Sequence, residues 1–140
     1  RSVADPPLPL GASGGGCDTD RNPGEVDEPV WTRQHPVIAI DHDRDVISDD
    51  GRELYNVYRR RGIAHVLVMG VHTNMCILNR SFAIKQMVRW GFAVALIRDL
   101  TDVMYNPARA PYVSHGAGTA LTVAFIEKFW CPTLRSEDLR

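Results

Sequence analysis

Apolar residues in this chain fall into two alternating patterns, short β-branched runs and stripes at helical spacing. Val37-Ile38-Ala39-Ile40, bounded by Pro36 and Asp41, reads as a strand. Ser48-Asp49-Asp50 then opens a helix. Asp50 and Glu53 have capping-box spacing, Leu54, Val57 and Tyr58 form an apolar stripe, and Arg59-Arg60-Arg61 with Gly62 closes it. His65 to Gly70 is the next strand. A longer helix is expected from about Asn74 to Trp90, with Ile77, Ser81, Ile84 and Val88 on one face, Leu78 and Phe82 widening it, and Gly91 as its stop. Phe92 to Arg98 is a nearly continuous apolar run, the mark of a strand buried on both faces. After a loop with Asn106-Pro107, Ala117 to Phe129 reads as an apolar helix and Cys131 to Leu134 as a final edge strand.

Residues 1 to about 29 are rich in Pro, Gly and Asp and show no periodicity, so they read as an irregular arm. Residues 30–140 read as one α/β domain, because strands alternating with helices give a parallel sheet with right-handed crossovers. Ligands of such sheets bind outside the carboxyl ends of the strands. Asp41, Gly70-Val71-His72-Thr73-Asn74-Met75-Cys76 and Asp99 all fall at those ends. Cys76 is the chemically interesting one. At a strand-to-helix turn, unpaired N–H groups and the helix dipole lower the cost of a thiolate and of an oxyanion beside it. The competing reading is a buried cysteine that fills space.

With 140 residues, 44% of them hydrophobic, the chain is long enough for one domain with a sizeable core. Sixteen basic against seventeen acidic residues give nothing to draw it to nucleic acid or to a membrane surface. No apolar run approaches a membrane span, and no signal peptide opens the chain. The chain begins at Arg1 rather than methionine, which suggests that something upstream is missing. Cys17, Cys76 and Cys131 form no metal motif, and an odd, sparse count fits a reducing, cytoplasmic setting.

Other candidate chemistry is weaker. Asp41-x-Asp43-x-Asp45 starts like a calcium loop, but Val46 replaces the turn glycine and Arg52 stands where the bidentate glutamate belongs. Asp41-His42 has the wrong spacing for a metal pair, and His35 is its only nearby partner, so neither a metal nor a cofactor is expected. The three consecutive arginines suit a solvated helix end better than a phosphate site. Trp31, Trp90 and Trp130 read as core or interface anchors.

Gly70 to Cys76 resembles the Gly-Val-x-Thr-Asp/Asn-x-Cys segment of the isochorismatase-like cysteine hydrolases, which include nicotinamidases and carbamoyl-amide hydrolases. The likeness runs from about Asp41 to the C-terminus. It takes in Arg61-Gly62-Ile63, Gly91 to Asp99, and His115 in the last long helix. The run Thr101 to Pro107 suggests a separate branch. The resemblance implies a three-layer α/β/α Rossmann-like parallel sheet, here truncated at its N-terminus. It implies Cys76 as the nucleophile on an amide carbon, and a cis Val71–His72 peptide that turns the N–H groups of His72 and Cys76 toward the oxyanion. Thr73 or Asn74 is expected to cap the helix. Val71, Thr73, Asn74 and His115 are expected around a small-molecule substrate, with Asp99 bonded to loops near the site and Asp102 capping the next turn.

The resemblance also exposes a gap. The family's aspartate base should end an earlier apolar strand, and its lysine should precede the cysteine by some thirty residues. Lys85 and Lys128 are the only lysines here, and both follow Cys76. Arg44 lies nearest the lysine's place; it can hold a thiolate as a fixed charge but cannot transfer protons. Either the upstream strands are missing or this branch discarded the triad, and a strand left without its neighbours favours the former. The chain alone is then expected to be aggregation-prone, through bare strand edges, and inactive. Three functions stay open: a cysteine hydrolase of amide-type C–N bonds acting through a thioester, a silent binding or assembly subunit, and a redox-sensing thiol. A homo-oligomer is expected.

Overall fold

The computed structural model describes residues 5–10 and 33–140, and everything below concerns those residues. Helix α1, Gly51–Arg60, starts where its sequence signals put it. The Asp50 carboxylate accepts from the Arg52 amide at 2.7 Å, so the cap is real. Glu53 does not complete a capping box; it accepts from the Ser48 hydroxyl instead. Leu54, Tyr55 and Tyr58 turn toward the core, where Tyr55 meets Trp90 at 5.0 Å and Tyr58 meets Phe92 edge-on at 5.6 Å.

Strands β1, His65–Val71, and β2, Ala93–Asp102, run parallel, and the two-residue β3, Thr133–Leu134, extends the sheet in the order β1-β2-β3. The molecule is thus α/β with a small parallel sheet. Between α1 and β2 lie α2, Cys76–Asn79, and α3, Ile84–Arg89; α4, His115–Phe129, links β2 to β3, and a 3-10 turn, Ser136–Leu139, follows. One apolar cluster gathers Val94 and Leu96 of β2 with Leu78, Ile84, Met87, Phe125 and Ile126 of the helices, and Val66 and Val68 of β1 pack on it. Each fully buried side chain of this kind contributes about 1.5–3 kcal/mol. The β1 residues of opposite parity, Leu67, Met69 and Val71, are 49%, 60% and 58% exposed. The helical layer expected over that side of β1 is not seen among the described residues.

Three expectations need correction. Val37–Ile40 is not a strand: His35 accepts the Val37 amide on its ring and the Ile38 amide on its carbonyl, and Val37 is 84% exposed. A β-branched run with no partner strand has only weak preference of its own, and the local turn wins. The expected helix from Asn74 to Trp90 is broken, because Arg80 and Ala83 are extended at ψ 162° and 179°. There the first turn of α1 intrudes, with the Gly51 amide donating to Ser81 Oγ at 3.1 Å. Ile77, Ile84 and Val88 of the expected stripe still pack on the core, whereas Ser81 is exposed. Finally, β2 does not stop at Arg98. While β1 advances from Val68 to Gly70, β2 advances from Leu96 to Thr101, and this bulge carries the strand on to Asp102 beside Val71.

The N-terminal segment 5–10 is not wholly loose. Leu10 is fully buried with Val103 and Tyr105, and Asp5 pairs with Lys85 at 2.7 Å. Residues 11–29 of the expected arm, with Cys17, and Trp31 beyond it, lie outside the described residues. No helix among the described residues is long and apolar enough to cross a membrane.

Gly51 is the tightest point of the α1 contact. A Cβ there would sit 2.0 Å from the Ser81 carbonyl oxygen, which is backbone and cannot step aside cheaply. Gly51→Ala is expected to destabilise the chain by about 3 kcal/mol, read as a lowered urea midpoint. An unchanged midpoint would mean that α1 is not held against Ser81.

Candidate active site

The turn after β1 is built from its polar side chains. Thr101 donates its hydroxyl proton to the Gly70 carbonyl at 2.7 Å, so Thr73, at 2.6 Å, must be the donor to Thr101. The Thr73 amide donates to the Asp102 carbonyl, and the His72 carbonyl accepts from the Met75 and Ile77 amides. Asn74 lies with its amide against the Met104 backbone, donating to the carbonyl and accepting from the N–H, both at 3.0 Å. Thr73 and Asn74 are 0% and 1% exposed, so these polar groups are bound up inside the protein. Neither caps the helix: the cap residue of α2 is Met75, and it has no side-chain cap bond.

The Val71–His72 peptide is cis, and the amides of His72 and Cys76 have no hydrogen-bond partner among the described residues. Cys76 opens α2, but that helix is a single turn, so its dipole is far smaller than the expected long helix would have supplied. The thiol is partly exposed and borders a cavity of about 240 Å³ walled by Leu54 and Tyr58 of α1, Val68 of β1 and Phe82. Arg80 is the nearby cation that sequence reasoning overlooked. The Cys76 side chain beside it, and more distantly Asp49, push the guanidinium above its ordinary value. Its signal was the i, i+4 spacing, masked by the attention given to upstream lysines.

Other expected participants fall elsewhere. Arg44 is exposed in the 41–45 loop, its carbonyl held by Arg61 Nη1 at 2.6 Å. Cys76 does not border the open cleft of about 470 Å³ that Arg44 lines with Asp41, Asp43, Asp45 and Arg61. Two of that loop's carboxylates accept backbone amides, Asp43 N–H to Asp41 and Asp41 N–H to Asp45. Asp99 accepts from the Ser136 amide and hydroxyl, which hold it below its usual range; it ties the C-terminal turn to β2 rather than serving the site. Lys85 lies under Asp5 and 5.2 Å from the Trp130 ring, and Lys128 lies over Phe129. No group of three or more His, Cys, Asp and Glu is placed to hold a metal among the described residues.

His115 begins α4, after Ser114 caps it through the Ala117 amide. Its Nε2 is 3.0 Å from both Asp102 oxygens and its Nδ1 is 3.0 Å from the Tyr105 carbonyl. Thr119 donates to the same carboxylate. Burial works to raise the Asp102 carboxyl, but the His115 and Thr119 hydrogen bonds outweigh it and hold it below its usual value. Tyr105 fits only because residue 118 is glycine: a Cβ there would meet the ring at 2.7 Å. Compared with known proteins, the chain matches no family model, no curated protein and no solved structure.

Two outcomes follow from this arrangement. Asn74→Asp is expected to cost about 3 kcal/mol at neutral pH, because an ionised carboxylate cannot donate to the Met104 carbonyl and is buried against it. Acid should relieve the loss, since a protonated carboxyl can donate; urea midpoints at pH 4 and 7 read it. Asp102 has a folded pKa below its unfolded one, so its contribution is present above about pH 4 and fades as pH falls through the folded value. Being half exposed, it should contribute at most about 1 kcal/mol. The stability gap between wild type and Asp102→Asn should therefore close on acidification.

Proposed function

We propose that this protein is a cysteine-dependent hydrolase of small amide-type C–N bonds, resembling the isochorismatase-like hydrolases and acting through a thioester at Cys76. The observation that carries the reading is the turn from Gly70 to Cys76 at the carboxyl edge of the sheet, with two unpartnered amides in the turn that carries the thiol. In this reading the Cys76 thiolate attacks the substrate's carbonyl carbon, forming a C–S bond and an oxyanion that the His72 and Cys76 amides receive. Collapse breaks the C–N bond, and the nitrogen leaves as amine or ammonia, taking from water the proton that the thiol gave up on ionising. Water then attacks the thioester, releasing a carboxylic acid and restoring the thiol. Arg80 contributes a fixed positive charge to the thiolate and no proton. The apolar cavity wall favours a small, uncharged acyl group.

A second reading, a silent binding or assembly subunit, has its own support. No lysine–carboxylate pair stands beside Cys76 among the described residues, because Lys85 and Lys128 are engaged elsewhere. Loss of general acid–base help typically costs about 10²–10⁴ in rate.

Thiol chemistry separates the two readings. Burial pushes the Cys131 thiol up to about 11 and closes it off, so iodoacetamide at pH 7 should modify Cys76 faster than Cys131. A panel of small primary amides and carbamoyl compounds, followed by intact mass, should show an acyl adduct that is lost in Cys76→Ser. A reactive Cys76 that forms no adduct with any of them would favour the silent subunit.

A further inference from the structure

The segment from Asp102 to Tyr105 is gripped from two sides. Toward the Cys76 turn, the Asp102 carbonyl takes the Thr73 amide, and the Met104 backbone takes both ends of the Asn74 side chain. Toward α4, the Asp102 carboxylate and the Tyr105 carbonyl take the two ring nitrogens of His115. A peptide carbonyl only accepts, so Nδ1 must carry a proton. An ionised carboxylate also only accepts, so Nε2 must carry one too. The geometry therefore calls for an imidazolium. A neutral ring has one proton for two acceptors, and one contact becomes a lone pair facing an oxygen.

We propose that His115 is a positioning residue for the Cys76 turn, a pH-sensitive strap that is closed when the ring is doubly protonated and loosened when it loses one proton. The groups around it are consistent with that role. Asp102 is the charged group offered by β2, and Thr119 on α4 reinforces the same carboxylate. The intervening loop adds a tie of its own, the Tyr105 hydroxyl donating to the Arg109 carbonyl and receiving the Val113 amide. The ring is about one-third exposed, so protons reach it without unfolding. The inference rests on the Cys76 reading only for its functional meaning; the coupling itself belongs to the hydrogen-bond network.

The test uses the whole chain, Arg1–Arg140, between pH 5 and 8. Ring ¹⁵N shifts of His115 report its protonation, and hydrogen exchange corrected for intrinsic rates reports protection at the Thr73 and Met104 amides. Protection is expected to fall about fivefold or more, with the midpoint of the His115 titration. His115→Gln should abolish that step, while His115→Arg, with two fixed donors, should keep the amides protected throughout. The ratio of Cys76 alkylation rates, wild type over His115→Gln, should fall toward one as His115 deprotonates. A singly protonated ring at pH 5, or amide protection that does not follow the ring, would overturn the proposal. If His115→Gln does not fold, the coincidence of midpoints in the wild type and the behaviour of His115→Arg decide. A chain without hydrolase activity but with matching midpoints refutes the hydrolase alone; an active hydrolase with flat amide protection refutes the strap alone.

Discussion

The buried pairing of Asn74 with the Met104 backbone is the interaction on which the candidate site depends. It joins the turn after β1 to the chain leaving β2, with the Asn74 side chain shut away from solvent. An unpaired amide in that position costs far more than a made one contributes, so the pair fixes the two segments' relative register. Once that register is set, the Thr73 amide finds the Asp102 carbonyl and the two threonine hydroxyls close their chain onto Gly70. The unpartnered amides of His72 and Cys76 are what the closed turn leaves over. Asparagine is required by the network: an aspartate could accept from Met104 but not donate to it.

Much of the scaffold was legible because it is written in local signals. α1 has its Asp50 cap and basic end, β1 and the start of β2 have apolar runs of strand length, and α4 has a long apolar stretch ending near Trp130. What escaped was decided by contacts distant in sequence. Ser81 breaks a helix because Gly51, thirty residues earlier, packs on it. Four of the last five residues of β2 are polar, so no apolar run announced that a bulge would carry the strand past Arg98 to Asp102. Val37–Ile40 shows the opposite error, in which strand-forming residues have no strand to pair with.

The site was legible in the same uneven way. The place of Cys76 at a strand's carboxyl end followed from α/β topology, and the cis Val71–His72 bond followed from the resemblance. The roles of Thr73 and Asn74 did not follow, because a polar side chain near a thiol looks the same in sequence whether it faces a ligand or the interior. Arg44 shows how sequence distance misleads: it lies where a cation was wanted along the chain, yet in space it belongs to the Arg61 cleft. Arg80, four residues after Cys76, is the cation the fold brings to the thiol.

The break between α2 and α3 is also where structure and chemistry meet. A continuous helix from Asn74 to Trp90 would aim a full dipole at Cys76 but would carry Ser81 away from α1. The observed chain gives up that dipole, retaining one turn, and gains a floor for α1, whose Leu54 and Tyr58 then wall the cavity beside the thiol. In the proposed reaction, the charge on Cys76 is therefore met by discrete groups, the Arg80 guanidinium and the turn's own amides, rather than by a helix. Discrete groups depend on position to within a fraction of an ångström, whereas a dipole is forgiving. That dependence is why the ties among Asn74, Met104, Asp102 and His115 matter to the proposed site.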